Sequence, residues 1–238
     1  MRKVQLFKQF LWMVALLALC ACGLEPPPRR LARAQAGPEA IIGDRGGPPV
    51  INALRAGPDA CLPVLSGELV INEVLAKPAG LDIDGDGLSN LRDEAIEVLL
   101  LADQPRRLDG VTLHVAGQPR GQLSDPRCHP PGTLFVVLGA TAALPPLPGG
   151  AVGLQLSGQL ALRDEGAQLS LLGWAGSPLD LLAYPPAPAG RSLVRSQDGD
   201  LWAPLQPHPD TAAGDPHSLG RCRDGAPATS CWPGLHPG

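Results

Sequence analysis

The chain is poor in aromatic residues, in lysine and in long apolar runs, and each shortage closes off a class of protein. Aromatics make up 3% of its 238 residues, and past residue 21 only Phe135, Trp174, Tyr184, Trp202 and Trp232 remain. A core built from this chain must be mostly leucine and valine, with those rings as its bulky pieces. Lysine occurs only at Lys3, Lys8 and Lys77, and no basic cluster alternates with aromatics, so nucleic-acid binding has no electrostatic footprint. No apolar run reaches the roughly 20 residues that cross a bilayer as a helix. No C-x-x-C pair is present to suggest a thiolate metal site.

Catalytic motifs are equally scarce. There is no G-x-S-x-G elbow, no phosphate-cradling G-x-x-x-x-G-K-[ST] loop and no G-x-G-x-x-G after a strand. Of the histidines, His114 lies in a strand-like run and His129 precedes two prolines. His208 and His217 fall in a Pro/Gly-rich stretch, and His236 is near the terminus. The expectation is a protein that is not an enzyme, with hydrolysis by paired carboxylates as the one alternative chemistry.

What is abundant is glycine, 29 residues, and proline, 28 residues, a composition suited to a turn-rich β protein or a disordered chain. The N-terminus has its own logic. Arg2, Lys3 and Lys8 precede an apolar run from Phe10 to Leu19, then Leu19-Cys20-Ala21-Cys22. A charged start, a short apolar stretch and small residues before cysteine form an export signal. The final four residues resemble the lipobox of bacterial lipoproteins, which predicts a signal peptide over residues 1–21 and a lipid on Cys22. Cys20 is the rival acceptor, and an ordinary cleaved signal without lipid is the alternative. Cleavage would remove three basic residues and no acidic one, moving the net charge from −4 to −7. Gly23, next to the lipid, carries no aspartate retention signal, so the expected address is the outer membrane, facing periplasm or surface.

Residues 22–65 are rich in proline, glycine and alanine and read as a tether. About 43 flexible residues span roughly 35 to 40 Å, enough to clear lipid headgroups. From Leu69 onward, short apolar runs alternate with turns: LVINEVL, AIEVLLL, VTLHV, TLFVVLG, AVGLQL, AQLSLLG, LDLLAY and RSLVR. These are strand lengths, and eight of them without a helical period predict an all-β sandwich or barrel over residues 66–205. Residues 206–238 form a cysteine-containing Pro/Gly-rich tail. Export would leave Cys61, Cys128, Cys222 and Cys231 to oxidise. Three pairings are open to four cysteines; the favoured one joins Cys222 to Cys231 across a short loop and Cys61 to Cys128 at long range.

One motif carries chemistry. Asp82, Asp84 and Asp86 alternate, Gly87 follows at the sixth place, and Asn90 and Asp93 fall at the ninth and twelfth of a calcium loop, with the Leu88 carbonyl at the seventh. The expected ion is Ca²⁺. Position twelve is normally glutamate, so aspartate there predicts a weak site, and an acidic solvated hairpin loop is the plainer reading.

The pieces also have a familiar order. Ile71-Asn72-Glu73-Val74 with Pro78, Asp93-Glu94-Ala95-Ile96-Glu97, Leu108-Asp109-Gly110, Leu179-Asp180, and Ser192 to Arg195 ahead of Trp202 together resemble the lamin-tail domain of exported bacterial proteins. Ala95 stands where that family has an aromatic, and Leu100 and Leu101 replace its strand-ending asparagine. The resemblance implies an immunoglobulin-like β-sandwich without catalytic residues. The combined expectation is a lipid-anchored envelope module that binds an unidentified protein or polysaccharide. The alternative is an accessory domain that positions a secreted hydrolase or nuclease.

Overall fold

The computed structural model describes residues 61–231 except 124, 141–143 and 145. The signal peptide, Cys22, most of the tether and the last seven residues lie outside the described residues. Within them the chain is all-β, and its only helical pieces are three-residue turns. None is long and apolar enough to cross a membrane.

Twelve strands follow in order: β1 (Leu62–Pro63), β2 (Leu69–Leu75), β3 (Ala95–Leu100), β4 (Arg106–Arg107), β5 (Val111–Val115), β6 (Gln118–Leu123), β7 (Leu134–Leu138), β8 (Val152–Gln155), β9 (Ala167–Leu172), β10 (Pro178–Tyr184), β11 (Leu193–Arg195) and β12 (Leu205–Pro207). A six-stranded sheet has the order β12-β11-β2-β3-β7-β8 and a four-stranded sheet the order β10-β9-β5-β6, with β1 and β4 as a small parallel pair. All eight strands expected from the apolar runs are present, to within two residues at their ends. β1, β4, β6 and β12 were not expected, since QPRGQL and LQP lack the alternation or apolar length that marks a strand.

The burial pattern explains the sequence pattern. β5 alternates, with Val111, Leu113 and Val115 turned to the core and Thr112 and His114 only half-buried. β2, β3 and β7 are buried along their whole length, which is why AIEVLL and LFVVL read as unbroken apolar runs. One face of the large sheet meets the small sheet in the main core, where Ile71, Ile96, Val98, Phe135 and Val137 pack with Val111, Leu113, Leu169 and Leu171. The opposite face is covered by the chain after β12. Leu219 closes on Leu75, Ala95, Val136 and Leu138, while Cys222, Ala228 and Cys231 close on Leu99 and Leu134. Residues 208–231 are thus a third layer of the domain.

Both favoured cysteine pairs meet at disulfide distance. The Cα atoms of Cys61 and Cys128 are 5.7 Å apart, and those of Cys222 and Cys231 are 5.0 Å apart. Cys61 lies beside β1, so the last residues of the expected tether belong to the packed domain. The aromatic expectation needs correction: Phe135 and Tyr184 are buried, but Trp174 is 79% and Trp202 92% exposed.

Candidate functional site

The Asp-rich loop connects β2 to β3, and its carboxylates are held by the loop's own backbone. Asp82 accepts from the N–H groups of Gly85 and Gly87 at 2.8 and 2.9 Å. Asp84 accepts from Asp86 N–H and Asp86 from Leu88 N–H. These bonds curl the loop inward, and Gly85 and Gly87 supply the positive φ values, +76° and +85°, that the tight turns require. Asp82, Asp84 and Asp86 consequently offer oxygens within 4.8 Å of one another. Burial pushes the Asp84 carboxyl above its ordinary range, and the Asp86, Asp93 and Asp82 charges add to the effect.

The second half of the expected ligand set is used differently. Asp93 is fully buried; one of its oxygens accepts from Ile83 and Asp84 N–H and the other from Asn90 N–H. Asn90 in turn caps the short turn Leu91–Asp93 by accepting from Arg92 N–H. Asp93 therefore closes the loop onto itself, and the carboxylates brought together are three of the residues expected at the site. Leu88 is exposed at the loop surface.

Two buried polar clusters escaped sequence reasoning. At the first, β2 carries a bulge at Asn72, directly after Ile71, which is still paired with Val98 of β3. Ile71 N–H donates to Asp180 on β10 at 2.8 Å, and Ile71 C=O accepts from Arg195 Nε at 2.7 Å. Arg195 is only 1% exposed, and its Nη1 also donates to the carbonyls of Asp200, Leu201 and Ala203 while Nη2 reaches Asp180 at 3.4 Å. One guanidinium thus joins the two sheets and fixes the loop after β11. Guanidinium is suited to this because its donors fan out in a rigid plane.

At the second, Glu73 and Glu97 stand opposite one another on β2 and β3 and are fully buried. Glu73 accepts from Ser218 N–H and Oγ–H, and Glu97 accepts from Gly220 N–H at 2.7 Å and from Asn72 Nδ2 at 2.9 Å. Asp198 ties the same tail by accepting from Arg223 N–H. Burial raises the pKa of both glutamates, and for Glu97 the neighbouring Glu73 charge adds to it. Burial also pushes down His217, which faces Glu73. A glutamate in the middle of an otherwise apolar strand was the available signal, since such a charge is kept only where donors meet it.

His129 and His208 have structural surroundings. His129 packs edge-on against Phe135, with ring centroids 4.8 Å apart, and its Nε2 lies 3.5 Å from Asp125. His208 is buried beside the Pro209 carbonyl. Comparison with family models, with curated proteins and with solved structures finds no match for this chain.

Proposed function

We propose that the chain is a non-catalytic, lipid-anchored binding or structural module of the bacterial cell envelope, with a lamin-tail-like, immunoglobulin-like sandwich stabilised by calcium. The observation that carries the non-catalytic reading is the placement of the perturbed carboxylates. Glu73 and Glu97 are sealed beneath the tail and accept from its backbone, from the Ser218 hydroxyl and from Asn72 Nδ2, so their shifted titration serves packing. The anchor rests on the Leu19 to Cys22 motif. Replacing Cys22 with alanine should move the protein from the membrane fraction to the soluble one and remove a diacylglyceryl mass from the mature N-terminus. A wild type without that mass, or a variant that stays with the membrane, would overturn the anchoring.

Calcium is supported by the convergence of Asp82, Asp84 and Asp86, whose repulsion a divalent cation would relieve. With Asp93 withdrawn from the ligand set, affinity belongs to the weak range of extracellular modules, about 10⁻⁴ to 10⁻³ M. At about tenfold excess over Kd, mass action adds about 1.4 kcal/mol, or a Tm rise of about 3 to 6 °C for a domain of this size. Thermal melts in 5 mM Ca²⁺ and in EDTA should show that rise for the wild type and none for Asp84→Ala. Equal melting points in all four samples would make the loop a solvated acidic turn.

A further inference from the structure

Two Asp–Pro peptides occur in the chain, Asp125–Pro126 and Asp215–Pro216, and the second lies in the third layer. We propose that the protein cleaves its own Asp215–Pro216 bond, leaving residues 216–238 as a second chain that stays docked on the sandwich. The step acts once on the protein's own backbone and turns over no substrate. It goes beyond the envelope-module reading and stands or falls independently of it.

An Asp–Pro peptide carries its own nucleophile. A side-chain oxygen closing on the aspartate's own main-chain carbonyl forms a five-membered ring, an intramolecular attack of high effective concentration. Proline bars the competing ring, because a nitrogen without N–H cannot form the neutral imide that other aspartyl peptides give.

Thr211 holds three parts of Asp215. Thr211 N–H donates to the Asp215 carbonyl at 3.0 Å, Asp215 N–H donates to Thr211 Oγ1 at 3.0 Å, and that hydroxyl donates to Asp215 Oδ2 at 3.5 Å. The first contact polarises the carbonyl under attack and stays with its oxygen as negative charge develops there. The third leaves Oδ1, which makes no hydrogen bond within the described protein, as the nucleophile. Beyond the bond, Pro216 C=O accepts from Ser192 N–H at 3.2 Å, and Ser218 and Gly220 are tied to Glu73 and Glu97. His208 N–H donates to the carbonyl of the same Ser192 at 2.9 Å, so one residue pins both ends of the loop 208–216. Asp215 is exposed and lines, with His217, a cleft of about 210 Å³ that water can enter. Asp125 has no such freedom: it is buried, and the Arg127 guanidinium takes both its oxygens.

In the first step the carboxylate Oδ1 attacks the Asp215 carbonyl carbon. A C–O bond forms, the C–N bond to Pro216 breaks, and the nitrogen takes a proton from a water of the cleft. The hydroxide left behind opens the cyclic anhydride. One water is consumed, and the new ends are a prolyl amine at Pro216 and an aspartate with two carboxyl groups. Cys222 and Cys231 both lie beyond the cut, so their bridge does not join the two pieces, which part on denaturation without a reductant.

The test incubates the full chain in detergent with protease inhibitors, at about pH 6 and about 37 °C, and reads non-reducing gels and intact masses over days. The wild type should yield a fragment beginning at Pro216, with Asp125–Pro126 intact. In urea the same chain should be cut about tenfold more slowly or less, because the fold no longer positions the carboxylate. Asp215→Ala should abolish the cut. Thr211→Val should slow it about tenfold while Thr211→Ser keeps it, with thermal melts verifying that both are folded. Added hydroxylamine should leave a hydroxamate at Asp215, the signature of an anhydride that proteolysis does not give. The proposal is overturned if the folded wild type stays whole, if urea leaves the rate unchanged, if Thr211→Val is cut as fast as wild type, or if no hydroxamate forms. The comparison of folded with urea-treated wild type decides the matter even where a variant fails to fold.

Discussion

Replacing Arg195 with methionine should cost about 3 to 5 kcal/mol, the range for breaking a buried pair and leaving its partner charge uncompensated. Methionine fills much of the volume, so the loss isolates the polar contacts. Asp180 would remain buried with only the Ile71 and Leu181 N–H groups as donors. The Ile71, Leu201 and Ala203 carbonyls would lose the guanidinium donor, and the Asp200 carbonyl would keep only Ala203 N–H. Arg195→Lys should recover only part of the loss, because one ammonium cannot fan its protons toward five acceptors. Urea unfolding at neutral pH measures this, and Arg195→Met combined with Asp180→Asn should be less destabilised than the two single changes added together. A loss below about 1 kcal/mol for Arg195→Met would mean that the loop and the sheet junction hold without it.

The Glu73–Glu97 pair should make stability depend on pH in a direction opposite to ordinary paired carboxylates. Both groups bind protons more readily folded than unfolded, so their contribution is complete below the unfolded pKa, near 4.5, and declines as pH rises through their raised folded values. Glu94 acts in the same sense: burial pushes it up to about 7, so its share declines between about 4.5 and 7. His129, His208 and His217, all lowered by burial, oppose this near pH 6.5, since they favour the neutral fold. Asp125, held near 2 chiefly by Arg127, adds stability that is lost only in strong acid. Comparing variant with wild type removes these background groups. Glu73→Gln can keep both bonds to Ser218, its carbonyl accepting from the N–H and its amide donating to the hydroxyl. The variant should gain on the wild type by on the order of 2 kcal/mol between pH 5 and 8. A constant difference across that range would mean that the pair carries no shifted proton.

Much of this architecture was legible in the chain because hydrophobic pattern and turn residues act locally. VTLHV shows its alternation directly, and the order of apolar runs placed every long core strand. The cysteine pairs were legible for a different reason: four cysteines allow only three pairings, and Cys222 and Cys231 are nine residues apart. The roles of Glu73, Glu97, Asp180 and Arg195 were not, since each has a partner more than 100 residues away in the chain. The same limit explains the tryptophans. A sequence shows that Trp202 is large and apolar, while its exposure is seen only in the fold, where Arg195 bonds the carbonyls of Leu201 and Ala203 on either side of it. Asp93 fits the spacing of a calcium ligand, but nothing local reveals that its oxygens are already taken by Ile83, Asp84 and Asn90.

The link between Cys61 and Cys128 also decides how the domain bears mechanical load. A pull applied through the chain before Cys61 passes across the sulfur bridge to Cys128 and onward, bypassing everything between them. That bypassed loop, a separation of 67 residues, contains β1 to β6. Roughly 230 Å of contour, at about 3.4 Å per residue, is therefore withheld from extension. Cys128 is itself backed by its neighbour His129, which exchanges two backbone hydrogen bonds with Arg106. Tension from upstream reaches the sandwich at a braced junction, and the short β1–β4 pair is spared the peeling force that separates a terminal strand bond by bond.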